Sequence, residues 1–206
     1  MRIKHFWLLG LLGTAPLASR AQLAQATPVD SATARAALAT AARQFPKFYR
    51  ALRLAQQQDT LLRRFVVVRS ALPLATPAMA FANGAVRLDL RYLQTAQPGF
   101  DDNRLVVVLY HEIGHLHYYR TVPAPSRTPE ASERAAFDYS LVKTRELAAA
   151  GDCAPLQTGL RFMLLRSQAH DLADPHVRAL KALVQEPAYA DYRRYVAAHC
   201  LAAPAR

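Results

Sequence analysis

The chain has 206 residues, enough for one domain with a core of its own and few for two. Hydrophobic residues make up 52% and charged residues 20%, which excludes a disordered or membrane-embedded chain, and the alanine and arginine content favours helix over strand. The formal charge of +11 raises nucleic acid as a partner, but the basic residues are scattered. The charge therefore reads as a solvated surface that would favour an acidic substrate or an envelope surface, with no nucleic acid bound.

Met1 to His5 carry Arg2 and Lys4, Phe6 to Leu12 form an apolar run, and Ser19-Arg20-Ala21 places small residues around Arg20 before Gln22. Charged start, short apolar run and small residues at the end describe a signal peptide over residues 1–21, cut after Ala21. The run is too short to span about 30 Å of hydrocarbon, and Gly10, Gly13 and Pro16 interrupt it. The expectation is an exported protein, periplasmic or secreted, with residues 22–206 as a single domain and no stable membrane insertion after cleavage. Cys153 and Cys200 remain in that mature chain. An oxidising compartment permits one disulfide between them, two buried thiols being the alternative, and neither has the spacing of a zinc ribbon.

In chain order, Thr27-Pro28-Val29-Asp30-Ser31 reads as a linker ending in a helix cap, followed by an alanine-rich helix through Ala36, Leu38 and Ala42. A second helix, Phe48 to Gln57, follows Pro46, and Phe65-Val66-Val67-Val68 is short and β-branched enough for a buried strand. Ala71 to Pro77 holds two prolines and is expected to be loop. Met79 to Leu90 places Asn83-Gly84 between apolar residues, and Val86, Leu88 and Leu90 alternate with Arg87 and Asp89. That pattern predicts strands around a tight turn. Gln97-Pro98-Gly99 breaks the chain before Asp101 or Asp102 caps a helix with Leu105, Val108, Leu109 and Leu116 on its apolar stripe. Pro123 and Pro125 end that helix, and Thr128-Pro129-Glu130 starts another that should run towards Ala150 and stop at Gly151. Leu156 to His170, Pro175 to Gln185 and Tyr189 to Ala198 complete a helical carboxy-terminal part.

His111-Glu112-Ile113-Gly114-His115 lies inside the capped helix. Four residues turn through about 400° and rise about 6 Å, so both imidazoles leave one face and can close on one ion. Zinc held by two imidazoles and a third protein ligand keeps a place for water and lowers its pKa towards about 7. Glu112, rotated about 100° from His111, can take the proton and pass it to a leaving amine.

With this motif in a helix that follows an alternating strand, Phe65 to about Ala150 resembles the zincin superfamily of metallopeptidases, and within it the gluzincins. The resemblance implies zinc as cofactor, a peptide or protein substrate, and hydrolysis of peptide bonds with Glu112 as the base. It implies an α+β fold, here predominantly helical, whose small sheet packs an edge strand on the motif helix. Met79 to Leu90 is placed to be that strand and to hold substrate by strand addition. It also implies a glutamate ligand on a later helix. Glu133-Arg134-Ala135-Ala136-Phe137-Asp138-Tyr139-Ser140 is similar to the Glu-x-x-Ala-Asp-x-x-Ala helix of gluzincins, with Phe137 where Asp is expected.

Glu133 is therefore the favoured third ligand, with Glu146 and Glu130 as rivals, and Asp138 is the candidate for orienting a ligand histidine. His117 falls about 200° from His115 and should face elsewhere. Tyr118, Tyr119, Tyr139, His170 and His176 are residue types able to stabilise an oxyanion, none singled out. The alternative function is a zincin-like domain that binds metal or peptide without cutting, motivated by the missing Asp and the unassigned oxyanion donor.

Overall fold

In the computed structural model, which describes residues 25–70 and 76–200, helices surround a small sheet. The expected signal peptide and most of the proline-containing loop before Pro77 lie outside the described residues. The order is β1 (Thr27–Pro28), α1 (Ser31–Gln44), α2 (Pro46–Gln58), β2 (Arg64–Arg69), β3 (Ala78–Phe81), β4 (Ala85–Asp89), α3 (Arg91–Gln94), α4 (Asp102–Thr121), a short 3-10 turn (Ala124–Ser126), α5 (Pro129–Ala149), α6 (Ala154–Ser167), α7 (Pro175–Leu183) and α8 (Pro187–His199). Predominantly helical α+β architecture is thus observed. Among the described residues no helix is long and apolar enough to cross a membrane.

The sheet is mixed, in the order β1-β2-β4-β3. Strand β2 runs parallel to β4, whereas β1 on β2 and β3 on β4 are antiparallel. Gly84 makes the turn between β3 and β4 at φ +84°, and a Cβ there would stand 2.7 Å from the Leu61 carbonyl oxygen, so glycine is required twice over. Asn83 supports the turn by accepting from the Ala85 amide at 3.1 Å. Two short elements escaped the sequence reading. Thr27–Pro28 pairs with β2 although it reads as linker, and Arg91–Gln94 forms one helical turn after Asp89. The expected edge strand over Met79 to Leu90 is also narrower than its sequence span: β4 is an interior strand, and the edge beside α4 is β3 alone.

Caps define the helices that matter. Asp101 accepts from the Arg104 amide at 2.8 Å and starts α4, while its neighbour Asp102 accepts from the Lys47 and Phe48 amides and closes the exposed start of α2 instead. Thr128 caps α5, Pro129 occupies its first turn, and Gly151 at φ +99° follows its end. Asp174 caps α7.

The core has two parts that meet at α4. One joins α1, α2, the sheet and the apolar side of α4 through Phe48, Leu52, Val86, Leu93, Leu109 and Ile113. The other joins α5 to α8 through Phe137, Leu141, Leu156, Met163, Leu180 and Tyr189. Helix α4 is buried along most of its length, every residue from Leu105 to Leu116 included. A disulfide between Cys153 and Cys200 fastens the end of α8 to the start of α6.

Candidate metal centre

Helices α4 and α5 make the most extensive contact between any two elements, and Gly114 allows it. A Cβ at that position would stand 2.8 Å from Ala136 Cα and 2.8 Å from Tyr139 Cβ, inside van der Waals contact. With only hydrogen there, α5 comes close enough to lay its first turns against the histidine face of α4.

That approach brings three sequence-distant donors together. His111 Nε2 and His115 Nε2 are 3.2 Å apart, and Glu133 Oε2 lies 3.1 Å from the first and 3.5 Å from the second. One ligand atom from each residue lies within 4.8 Å of the others, and all three residues are buried, so His111, His115 and Glu133 form a group that could hold a metal ion. The donor chemistry fits a divalent transition ion, two imidazole nitrogens and a carboxylate oxygen. His111 Nδ1 is buried and has no hydrogen-bond partner among the described residues, so the ring's polar contacts run through Nε2, to His115 and Glu133.

Protonation states suit the same role. Burial pushes the His111 pKa down to about 3, which outweighs the pull of Glu133 and keeps the ring neutral near pH 7. Burial alone would raise Glu133, but the charge of His176 and hydrogen bonds from His111 and His115 hold its carboxyl well below the usual range. The site therefore presents a neutral imidazole beside a carboxylate. His115 Nδ1 is 2.8 Å from Ser132 Oγ. With an ion bound, a proton on that nitrogen would donate to Ser132 and the Nε2 lone pair would be left to ligate.

Asp138, expected to orient a ligand histidine, does not do so. It accepts from Arg134 at 2.9 Å on the opposite side of α5, because one residue along a helix turns the side chain by about 100°. Ser132 orients His115 instead. Phe137, standing where the family pattern has Asp, packs its ring on His111 with centroids 4.4 Å apart and walls the site from solvent.

The rival carboxylates are elsewhere. Glu130 pairs with Arg178 at 2.8 Å, and Glu146 pairs with Lys143 at 2.9 Å. His117 also lies apart, 2.8 Å from Asp59, whose carboxylate accepts from Tyr139 at 3.0 Å as well. Tyr118 OH accepts from the Thr128 amide, Tyr119 stacks on His115 at 6.0 Å, and His170 is exposed after α6.

Of the oxyanion-donor types, His176 is the one at the centre. Its Nε2 lies 3.0 Å from Glu133 Oε2, its Nδ1 3.0 Å from Asp174 Oδ1, and its ring stacks 6.0 Å from that of His111. Burial pushes Asp174 up, but His176 and Arg166 outweigh it and hold the carboxyl at about 2. Asp174 thus fixes His176 while capping the helix that carries it. The only trace of this in the sequence is the Asp-Pro-His run at a helix start, a pattern with a sufficient capping explanation.

Glu112 is buried too, and with His111 and His176 it lines a cavity of about 290 Å³. Thr76 and Pro77, just before the edge strand β3, line it as well. The cavity therefore lies between the segment leading into the edge strand, the motif helix, Phe137 of α5, the second half of α6 and the start of α7. No family model matches this chain, and no curated protein or solved structure matches it either.

Proposed function

We propose that the chain is an exported zinc-dependent metallopeptidase of the gluzincin-like zincin kind. One observation carries this: His111, His115 and Glu133 converge in a buried group, and His111 of that group lines the same cavity as Glu112. Zinc, when bound by these three residues, would supply an electrophile for the scissile carbonyl and a more acidic water.

The remaining work falls to the chain. Glu112 takes a proton from the attacking water as the carbon–oxygen bond forms, and returns it to the amine nitrogen as the carbon–nitrogen bond breaks. With Glu133 drawn to the ion, His176 Nε2, which now faces that carboxylate, would be free to donate to the carbonyl oxygen as it gains charge. The ring would still be held through Nδ1 by Asp174. Strand β3 offers an edge on which an extended peptide can add as a further strand, beside the cavity mouth at Pro77. The Cys153–Cys200 disulfide supports an oxidising compartment, in line with the leader expected over residues 1–21.

The test uses the mature chain from Gln22 onward. Metal analysis should return close to one zinc per chain, and Glu112→Gln should keep the zinc while losing peptide hydrolysis. A chain that binds no zinc, or a Glu112→Gln variant that cuts as fast as the parent, would refute the proposal. Zinc without cleavage of any member of a broad peptide library would favour the non-cutting, metal- or peptide-binding alternative. The two features that motivated that alternative, the missing Asp and the missing oxyanion donor, have substitutes in Ser132 and His176.

A further inference from the structure

Arg104 has no role in the chemistry above, yet it lines the same cavity as His111 and Glu112. It stands about two helical turns before His111 on the same side of α4, roughly 10 Å along the axis. Its guanidinium carbon lies 3.3 Å from the centre of the Phe162 ring and 5.8 Å from that of Phe100. Packing against an aromatic face covers one side of the guanidinium and leaves its N–H edge for a ligand.

What Arg104 lacks is an acid. Among the described residues no carboxylate forms an ion pair with its guanidinium. The other arginine of the cavity, Arg166, is paired with Asp174 at 2.5 Å. Asp101, exposed at the start of α4, offers only its distant charge, and burial pulls the Arg104 pKa down to about 9, still high enough to keep the cation at neutral pH. A half-buried cation in a cavity walled by Phe100, Phe162 and Pro77 is costly, and an anion entering with the ligand would offset that cost.

We propose that Arg104 makes this cavity selective for peptides carrying a carboxylate within about three residues of the bond to be cut, the span that an extended chain covers in roughly 10 Å. The inference rests on the peptidase reading for its substrate, though not for the carboxylate contact itself. Either an Asp or Glu side chain or the free end of a short peptide presents the same fork of oxygens to a guanidinium.

Binding and turnover are measured separately. Calorimetry on the zinc-loaded Glu112→Gln chain compares N-acetyl-Ala-Ala-Glu amide, N-acetyl-Ala-Ala-Gln amide and N-acetyl-Ala-Ala-Ala as free acid and as amide. At least one carboxylate peptide should bind about tenfold or more tightly than its neutral counterpart. A preference for the Glu amide identifies a side-chain carboxylate, and a preference for the free acid identifies a chain end. Arg104→Met in the same background should abolish the ratio, and Arg104→Lys, which keeps the charge and guards against misfolding of the first variant, should retain part of it. Equal binding of all four peptides, or a ratio unchanged in Arg104→Met, overturns the proposal. With the parent chain, cleavage that ignores carboxylates would leave the peptidase standing and sink the Arg104 assignment. A carboxylate ratio in calorimetry with no cleavage of any peptide would do the reverse.

Discussion

Replacing Gly114 by alanine tests whether the crossing of α4 and α5 builds the metal group. In an isolated helix the change would stabilise by about 1 kcal/mol, because alanine is the better helix former. Here the added methyl would stand 2.8 Å from Ala136 Cα, 2.8 Å from Tyr139 Cβ and 3.1 Å from the Ala136 carbonyl oxygen. Relaxed carbon contacts need about 3.5–4.0 Å, so the helices must separate by roughly 1 Å. The neighbours are backbone and Cβ atoms, which cannot swing aside as the tip of a flexible side chain would. Overpacking of this kind costs about 1–3 kcal/mol, enough to cancel or exceed the propensity gain. Helix α5 also carries Ser132 and Glu133, so the same shift spoils the donor set, and zinc affinity should fall about 10–100-fold, the usual loss when a ligand's support is disturbed.

Zinc titration against a competing chelator reads the second effect, and thermal unfolding of the chelated chain reads the first. Gly159→Ala is the control. It is also helical and close to α4, but its Cβ would meet only Val107 methyl carbons at 3.4 and 3.7 Å, so it should be neutral or slightly stabilising and leave zinc affinity unchanged. If Gly114→Ala held zinc as tightly as the parent, the close crossing would not be what assembles the site.

Ser132→Ala should weaken zinc binding about tenfold or more by the same titration and lower the apo melting temperature by a few degrees. It takes from the buried His115 Nδ1 a partner worth about 1–3 kcal/mol without removing a ligand. The metal-free chain should lose stability in acid. The His111 pKa is lowered in the fold, from 6.5 to about 3, so its contribution is complete above pH 6.5 and is lost as pH falls towards 3. Glu133 is lowered as well and adds to the loss below about pH 4.5. Urea unfolding at stepped pH checks this, and His111→Leu should flatten the slope between pH 6.5 and 4.5. Removing the disulfide with Cys153→Ser and Cys200→Ser should cost about 4 kcal/mol in urea unfolding, the loop-closure value for a sequence separation of 47.

Local signals were enough for much of this fold. The Asp101 cap, the Thr128-Pro129 start, the Gly151 stop and the Asn83-Gly84 turn each depend on a few adjacent residues, and each forms where those residues lie. Boundaries that depend on partners were harder. Thr27–Pro28 becomes a strand only because β2 offers an edge, and α6 stops at Ser167 although its pattern runs to His170.

For the site, the amino-acid sequence alone determined the pairing of His111 with His115 and the position of Glu112 beside them, because helical geometry over four residues leaves no freedom. It could name Glu133 but not separate it from Glu130 and Glu146, since which turn of α5 meets α4 depends on how the two helices cross. The tertiary structure decided that through Gly114, and with it placed Ser132 on His115 and turned Asp138 away to Arg134. It also brought in His176 and Arg104, whose partners lie far along the chain or outside it. Spacing within a helix is a local property, whereas convergence between helices is set by the packing of everything around them.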